Sequence, residues 1–269
     1  MTEHNQQAAL FRSLHTAGQP LVLVNAWDAA SARIVEVAGA TAVATTSAGV
    51  AWALGTPDGD AVARDLVVDL VRRIVATVSV PVSADIETGY GATPEDVATT
   101  VRAVLDAGAA GINIEDARRD GDGPLRDVEG QCARIAAARA AAGVDLYINA
   151  RIDTYLAGAG GADETVARAS AYLAAGADGV FVPGLVDPDT IAKLVPAVAA
   201  PLNIMTWPGA PSVAELAALG VARVSVGSGV AQAAYAVARR AAVEMFEKGT
   251  YDTLAGGIDF GELQGLMQG

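Results

Sequence analysis

Short apolar, β-branched runs recur along the chain at 21–27, 42–47, 80–87, 111–116, 146–152, 179–184, 202–206 and 223–227. Each leads through a polar or glycine-bearing turn into an alanine-rich stretch with helical spacing, near 29–38, 60–77, 94–107, 127–142, 162–175, 188–198, 212–218 and 229–248. Gly39, Gly108, Gly143, Gly176 and Gly220 sit just past such stretches, where a helix ends in a left-handed residue. Thr93-Pro94-Glu95 opens one of them with an N-cap and a proline in the first turn. Strands alternating with helices mean parallel βαβ units. Eight units in a chain of 269 residues predict an α/β fold, a (β/α)8 TIM barrel, in preference to a doubly wound open sheet.

Segments outside the repeat extend this picture. A polar helix is predicted over 3–17, carrying both histidines, His4 and His15. The tail, 251–269, holds a short helical patch around 260–263 that a minimal barrel does not need. No stretch rich in Pro, Gly or Ser divides the chain. One barrel domain over 1–269 is expected, with a helical extension over about 229–269.

Within the runs, the alternation of faces singles out polar positions. In Gly111-Ile112-Asn113-Ile114-Glu115-Asp116, Asn113 and Glu115 share one face and the isoleucines the other. In Tyr147-Ile148-Asn149-Ala150-Arg151-Ile152-Asp153, the polar set is Asn149, Arg151 and Asp153. After the apolar run Val80-Pro81-Val82, Asp85 and Glu87 are two residues apart and are expected on one face. A barrel keeps its chemistry at the C-terminal ends of its strands. Those ends also carry Trp27, Thr46, Ser47, Asp58 and Asn203.

Carboxylates crowded together need a proton or a cation between them. An all-oxygen set suits a hard divalent ion such as Mg²⁺, held by a few carboxylates, waters and substrate oxygens. Asp58, Asp85, Glu87 and Glu115 are the candidate metal residues, and Mn²⁺ is an alternative ion. Arg151 suits a substrate carboxylate better than lysine would. Thr46, Ser47 and Ala48 read as a tight turn whose hydroxyls and N–H groups would bind an anionic group. Two bland readings stand beside these: solvated loop carboxylates, or a buried ion-pair network that holds the rim.

Composition narrows the chemistry. A formal charge of −13 argues against nucleic-acid and anionic-membrane partners, but not against an anionic substrate in a local cleft. The single cysteine, Cys132, falls inside a helical stretch and excludes a disulfide framework. Both lysines, Lys193 and Lys248, lie in outer helices, which argues against Schiff-base chemistry, and neither histidine lies at a strand end. No signal peptide or membrane-spanning run is visible, so a cytoplasmic location is expected.

Several stretches together resemble the isocitrate lyase / phosphoenolpyruvate mutase superfamily. They are Asn25-Ala26-Trp27-Asp28, Thr45-Thr46-Ser47-Ala48-Gly49-Val50, Leu54-Gly55-Thr56-Pro57-Asp58, Asp85-Ile86-Glu87-Thr88-Gly89-Tyr90-Gly91, Gly111–Asp116 and Ala150-Arg151-Ile152-Asp153. The resemblance implies a barrel whose last helix is exchanged with a neighbouring subunit, in a homodimer or homotetramer. It implies Mg²⁺ near Asp58, Asp85, Glu87 and Glu115, with Asp85 as the direct ligand. It also implies a small carboxylate substrate, an α-oxo acid, bound through Trp27, Thr46, Ser47, Ala48, Asp85, Arg151 and Asn203.

The departures from the family pattern are as informative. Lyase members carry a loop with cysteine and histidine after the fourth strand, and mutase members one with lysine and asparagine. Here 117–126 reads Ala-Arg-Arg-Asp-Gly-Asp-Gly-Pro-Leu-Arg, a candidate lid with none of the four. Decarboxylation of an oxaloacetate-like β-oxo acid fits that loss, since departing CO₂ needs no general acid. Arg151 and the metal would then stabilise the enolate, Asp58 would support them, and Tyr90 is a candidate proton donor. Phosphonopyruvate hydrolysis or mutation, isocitrate- or methylisocitrate-type cleavage, and a non-catalytic keto-acid-binding role are the competing readings.

Overall fold

The computed structural model describes residues 3–119 and 123–268. Nine parallel strands form one sheet in the order β1-β9-β8-β7-β6-β5-β4-β3-β2. They are β1 (Leu21–Leu23), β2 (Asn25–Ala26), β3 (Val43–Thr45), β4 (Val82–Asp85), β5 (Gly111–Glu115), β6 (Tyr147–Arg151), β7 (Gly179–Val182), β8 (Leu202–Met205) and β9 (Arg223–Ser225). The two ends of that order are adjacent in the chain. β1 pairs with β9 (Leu21 opposite Arg223), and β2 pairs with β3 (Asn25 opposite Ala44). The first predicted strand is therefore one barrel strand interrupted at Val24, and the ring closes through it as a (β/α)8 barrel.

The helices fall where the spacing places them. α1 (Glu3–Ser13) precedes the barrel, and α2 (Ala29–Val37), α4 (Arg64–Thr77), α5 (Pro94–Asp106), α6 (Val128–Ala142), α7 (Ala162–Ala174), α8 (Pro188–Val198) and α9 (Val213–Ala218) follow successive strands. α10 (Gly229–Lys248) and α11 (Phe260–Met267) complete the chain. Side chains fix their starts. Thr93 accepts from Asp96 N–H while the Asp96 side chain accepts in return, and Ser212 and Glu215 repeat that capping box. α3 (Ser47–Ala53) is a correction: a helix occupies the stretch read as a tight turn.

Outward-facing strand residues build the main core. Ala84, Ile86, Ile112, Ile114, Ile148, Ala150, Val180, Val182, Ile204 and Val224 meet Val97, Val101, Ile135, Ala169 and Leu194 of the helices. Each valine, leucine or isoleucine among them contributes roughly 1.5–3 kcal/mol by leaving water. Cys132 packs half-buried at the edge of this cluster, and burial pushes its thiol up.

The inside of the ring is different. At its N-terminal end Phe11, from α1, is fully buried beside Leu21, Leu23, Ala44 and Tyr147. Gly111 makes room for that ring, since a Cβ there would lie 2.5 Å from Phe11 Cε1. His15 stacks on Tyr147 at 4.0 Å between centroids, and Asp178 ties Arg12 of α1 to Arg139 of α6. One layer higher lie asparagines. Asn149 Nδ2 donates to Asn113 Oδ1 at 2.9 Å and to Asn203 Oδ1 at 3.2 Å. Among the described residues, no helix is long and apolar enough to cross a membrane.

Candidate active site

Above the asparagines, Asp85 ends β4 with its backbone N–H donating to Thr45 Oγ1 at 2.8 Å. Its carboxylate accepts from the N–H of Ser47, 3.2 Å away at the start of α3. That helix comes close because residue 49 is glycine: a Cβ there would stand 2.8 Å from Trp27 Cβ and from Thr46 Cγ2. Thr46, the N-cap, makes no side-chain cap bond, and Thr46 and Ser47 are both buried. The helix thus aims its first N–H at the acid and leaves the Thr46 hydroxyl uncommitted to its own cap.

Glu87 reaches the site by another route than the one expected. The strand stops at Asp85, and Glu87 has φ +51°, so simple alternation does not set its direction. Its backbone stays tied to β5 through Glu115 N–H, 2.9 Å from Glu87 O. Its carboxylate accepts from Tyr90 Oη at 2.9 Å and from the backbone N–H of Asp60. Asp60 (φ +58°) and Tyr90 (φ +53°) share the left-handed conformation. Three strained non-glycine residues around one carboxylate mark a place where backbone geometry serves the site. Asp60 also accepts from the Thr88 hydroxyl, which locks the two loops together.

Arg151 ends β6 between two acids. Its Nε and Nη2 donate to Asp153 at 2.6 and 2.9 Å, and its Nη1 lies 2.7 Å from Glu115. Among the described residues, Nε and Nη2 of the guanidinium are hydrogen-bonded to Asp153 and Nη1 is ion-paired with Glu115. Glu115 is buried and also takes Arg119, from the loop that follows β5.

Burial, rather than any partner, dominates the electrostatics. It pushes Asp85 up against the opposing pull of Arg151 and Ser47, and the exposed Asp58 adds to the rise. Glu87 is pushed up to about 7 by burial, with Asp85 and Asp60 adding to it. Glu115 is raised by burial while Arg151 and Arg119 pull it down. Tyr90 is driven well above the usual phenol range by burial and by Glu87, so it is a hydrogen-bond donor that keeps its proton.

Among the described residues, no three of His, Cys, Asp and Glu stand close enough to cage a metal. The donors still fit Mg²⁺, which takes one or two carboxylates and completes its shell with water and substrate oxygens. Carboxylates raised by burial, with one another's charge adding to it, are what a dication relieves. Asp85 would hold it directly, with Asp58, Glu87 and Glu115 around it.

The structure thus gathers Ser47, Asp58, Asp85, Glu87, Tyr90, Glu115 and Arg151 at one end of the barrel. Asn203 commits its groups to Asn149 and to Ser225 Oγ, 3.1 Å away, inside the ring. Trp27 packs its Cβ near Gly49, and Ala48 lies in the first turn of α3. Asp60 was not singled out in the sequence, and Asp153 was singled out there only as a polar strand position. Of the candidate lid, 120–122 lie outside the described residues; its ends are tied by Arg118 N–H to Pro124 O and by Arg126 N–H to Asp116 O, both 2.8 Å.

Comparison with known proteins agrees with the barrel fold. Residues 11–246 match the phosphoenolpyruvate phosphomutase family. A 2-methylisocitrate lyase of Escherichia coli is 32% identical over 211 residues, 75% of this chain and 71% of that protein. An oxaloacetate decarboxylase of Pseudomonas entomophila is 30% identical over 268 residues, 93% of this chain and 84% of that one. The crystal structure of a phosphonopyruvate hydrolase complexed with oxalate and Mg²⁺ superposes with a TM-score of 0.87 at 28% identity, covering 100% of this chain and 95% of that one. The chain belongs to the phosphoenolpyruvate mutase family, within the isocitrate lyase / phosphoenolpyruvate mutase superfamily of lyases and mutases.

Proposed function

We propose that the protein is a Mg²⁺-dependent carbon–carbon lyase acting on a small α-oxo carboxylate, most closely as an oxaloacetate-type decarboxylase. The observation that carries this reading is Arg151, oriented by Asp153 and Glu115 beside Asp85, in a chain whose 117–126 segment has no cysteine, histidine or lysine. When bound, Mg²⁺ supplies Lewis-acid polarisation of the substrate's oxo group. The Arg151 guanidinium binds a substrate carboxylate and stabilises the negative charge that develops as CO₂ leaves. The Thr46 hydroxyl, uncommitted to its own cap, offers a donor on the α3 side. Tyr90, fastened to Glu87, orders that carboxylate; solvent delivers the proton that quenches the enolate.

Phosphonopyruvate hydrolysis is the second reading. Arg119 and Arg126 line a recess of about 230 Å³ with Asp60 and Thr88, where a second anionic group would sit. Pyruvate release separates the readings, measured with lactate dehydrogenase and NADH on oxaloacetate, methylisocitrate and phosphonopyruvate. Turnover of oxaloacetate above its spontaneous decay, abolished by EDTA and in Asp85→Ala, is the expected result. Phosphate release from phosphonopyruvate would replace it, and no turnover by folded protein would leave a keto-acid-binding role.

Assembly belongs to the same proposal. α10 and the tail expose Phe246 (88%), Phe260 (77%) and Tyr251 (69%), apolar surface suited to helix exchange in a homodimer or homotetramer. Light scattering on the full chain gives the mass, and a monomer would overturn it.

A further inference from the structure

Arg223 opens β9 with its side chain turned into the ring, while Val224 beside it joins the outer core. Its Nη2 donates to Asn113 Oδ1 at 3.3 Å. Asn113 lies on β5, four steps from β9 by way of β8, β7 and β6, and four by way of the β1/β2 strand, β3 and β4. The guanidinium therefore spans the barrel axis. Below it, Cζ stands 5.9 Å from the centre of the Phe11 ring; above, Asn113 is in register with Asp85.

Arg223 is 1% exposed, yet it has no ion pair among the described residues, and its Nε and Nη1 lack hydrogen-bond partners there. Burial lowers its pKa to about 10, which leaves it charged at neutral pH. A buried charge with no partner is costly, and an apolar side chain of similar volume would fill the space at less cost. The fold carries it all the same, one layer below the only concentration of buried carboxylates inside the ring that the described residues show.

We propose that Arg223 is an electrostatic positioning residue: a fixed positive charge on the barrel axis that loosens the grip of the mouth on a divalent cation and tightens it on an anionic oxo acid. The inference rests on the functional reading above. It follows from the sign of the charge and the low dielectric of the interior, where a charge acts across a layer of amides with little screening. A dication held by Asp85 would be repelled by this charge, and a substrate carboxylate would be attracted.

Calorimetry on the full chain tests this with two probes, Mg²⁺ alone and then oxalate at saturating Mg²⁺. The variants are Arg223→Met, Arg223→Gln, which keeps a donor for Asn113, and Arg223→Lys, which keeps the charge. The expected result is opposite in sign for the two probes. In the Met and Gln variants Mg²⁺ binds about threefold to tenfold tighter and oxalate weaker by a similar factor, while Lys stays near the parent. A purely structural role weakens both together, and that outcome, or no change in either, overturns the proposal. Should the Met variant fail to fold, the Gln variant decides. If the parent protein binds no Mg²⁺, the functional reading itself falls; if it binds both probes and the variants do not split them, only the role of Arg223 does.

Discussion

The acids at the two ends of the barrel are partnered in opposite ways. At the N-terminal end, Asp178 is saturated by Arg12, Arg139 and the N–H of Ile148, and relaxed backbone surrounds it. At the C-terminal end, Asp85 and Glu87 are raised by burial and three residues hold left-handed backbone. A charge whose partners are complete holds a fold together. One that burial leaves unsatisfied is waiting for a ligand, and its stability cost is the signature of function.

Removing one acid from each end separates the two roles. Asp85→Ala is expected to lower kcat by about 10³-fold, the scale of losing a principal electrostatic element. Because burial raises Asp85, its ionised form opposes folding at neutral pH, so the variant's Tm should equal or exceed the parent's. Asp178→Ala should do the reverse, with ~2–3 kcal/mol of stability lost in urea unfolding and kcat unchanged. A stability loss at Asp85 or an activity loss at Asp178 would dissolve the contrast.

His15 gives the N-terminal end a pH dependence. Its ring, buried against Tyr147 with Nδ1 bonded to Phe11 O at 2.8 Å, has its pKa lowered to about 3, chiefly by burial and then by Arg223. Below about pH 6.5 the unfolded chain takes up a proton that the folded ring refuses until about pH 3, so stability falls as pH falls through that window. Between pH 7 and pH 5 the parent should lose about 1–2 kcal/mol more than His15→Phe, read from urea midpoints.

The smallest effect is at the mouth. Tyr90 is one of the groups that hold Glu87 down against burial, so Tyr90→Phe should raise Glu87 above its value of about 7. The acid limb of the kcat/KM profile then moves to higher pH, with little change on the plateau. An unmoved limb would mean that Glu87 does not titrate in the reaction.

What the sequence disclosed follows the same division. The eight βα units were legible because parallel strands are apolar on their outer face and because caps and glycines punctuate the helices. Arg151 and Glu115 were legible because strand alternation persists to their positions. It fails two residues past Asp85, where Glu87 turns left-handed, and no side-chain pattern announces that. α3 escaped notice because Ser-Ala-Gly-Val-Ala-Trp-Ala has little periodicity and Thr46 makes no cap bond. Asp60 acts on Glu87 through its backbone N–H, which residue type does not reveal. Arg223 was within reach: Arg-Val-Ser in an apolar run puts a charge on the inner face.

The interrupted first strand has one further consequence. Everywhere else the ring is continuous through inter-strand ladders, but between β1 and β2 it is continuous only through the peptide bonds around Val24. Three residue pairs hold one side of that seam and two the other, and Asn25 bridges it by accepting from the N–H groups of Val226 and Gly227 while donating to Thr45 O. New chain ends placed at Val24 would turn a closed ring into an open strip, so circular permutation is least tolerated there, at the shortest strand in the molecule.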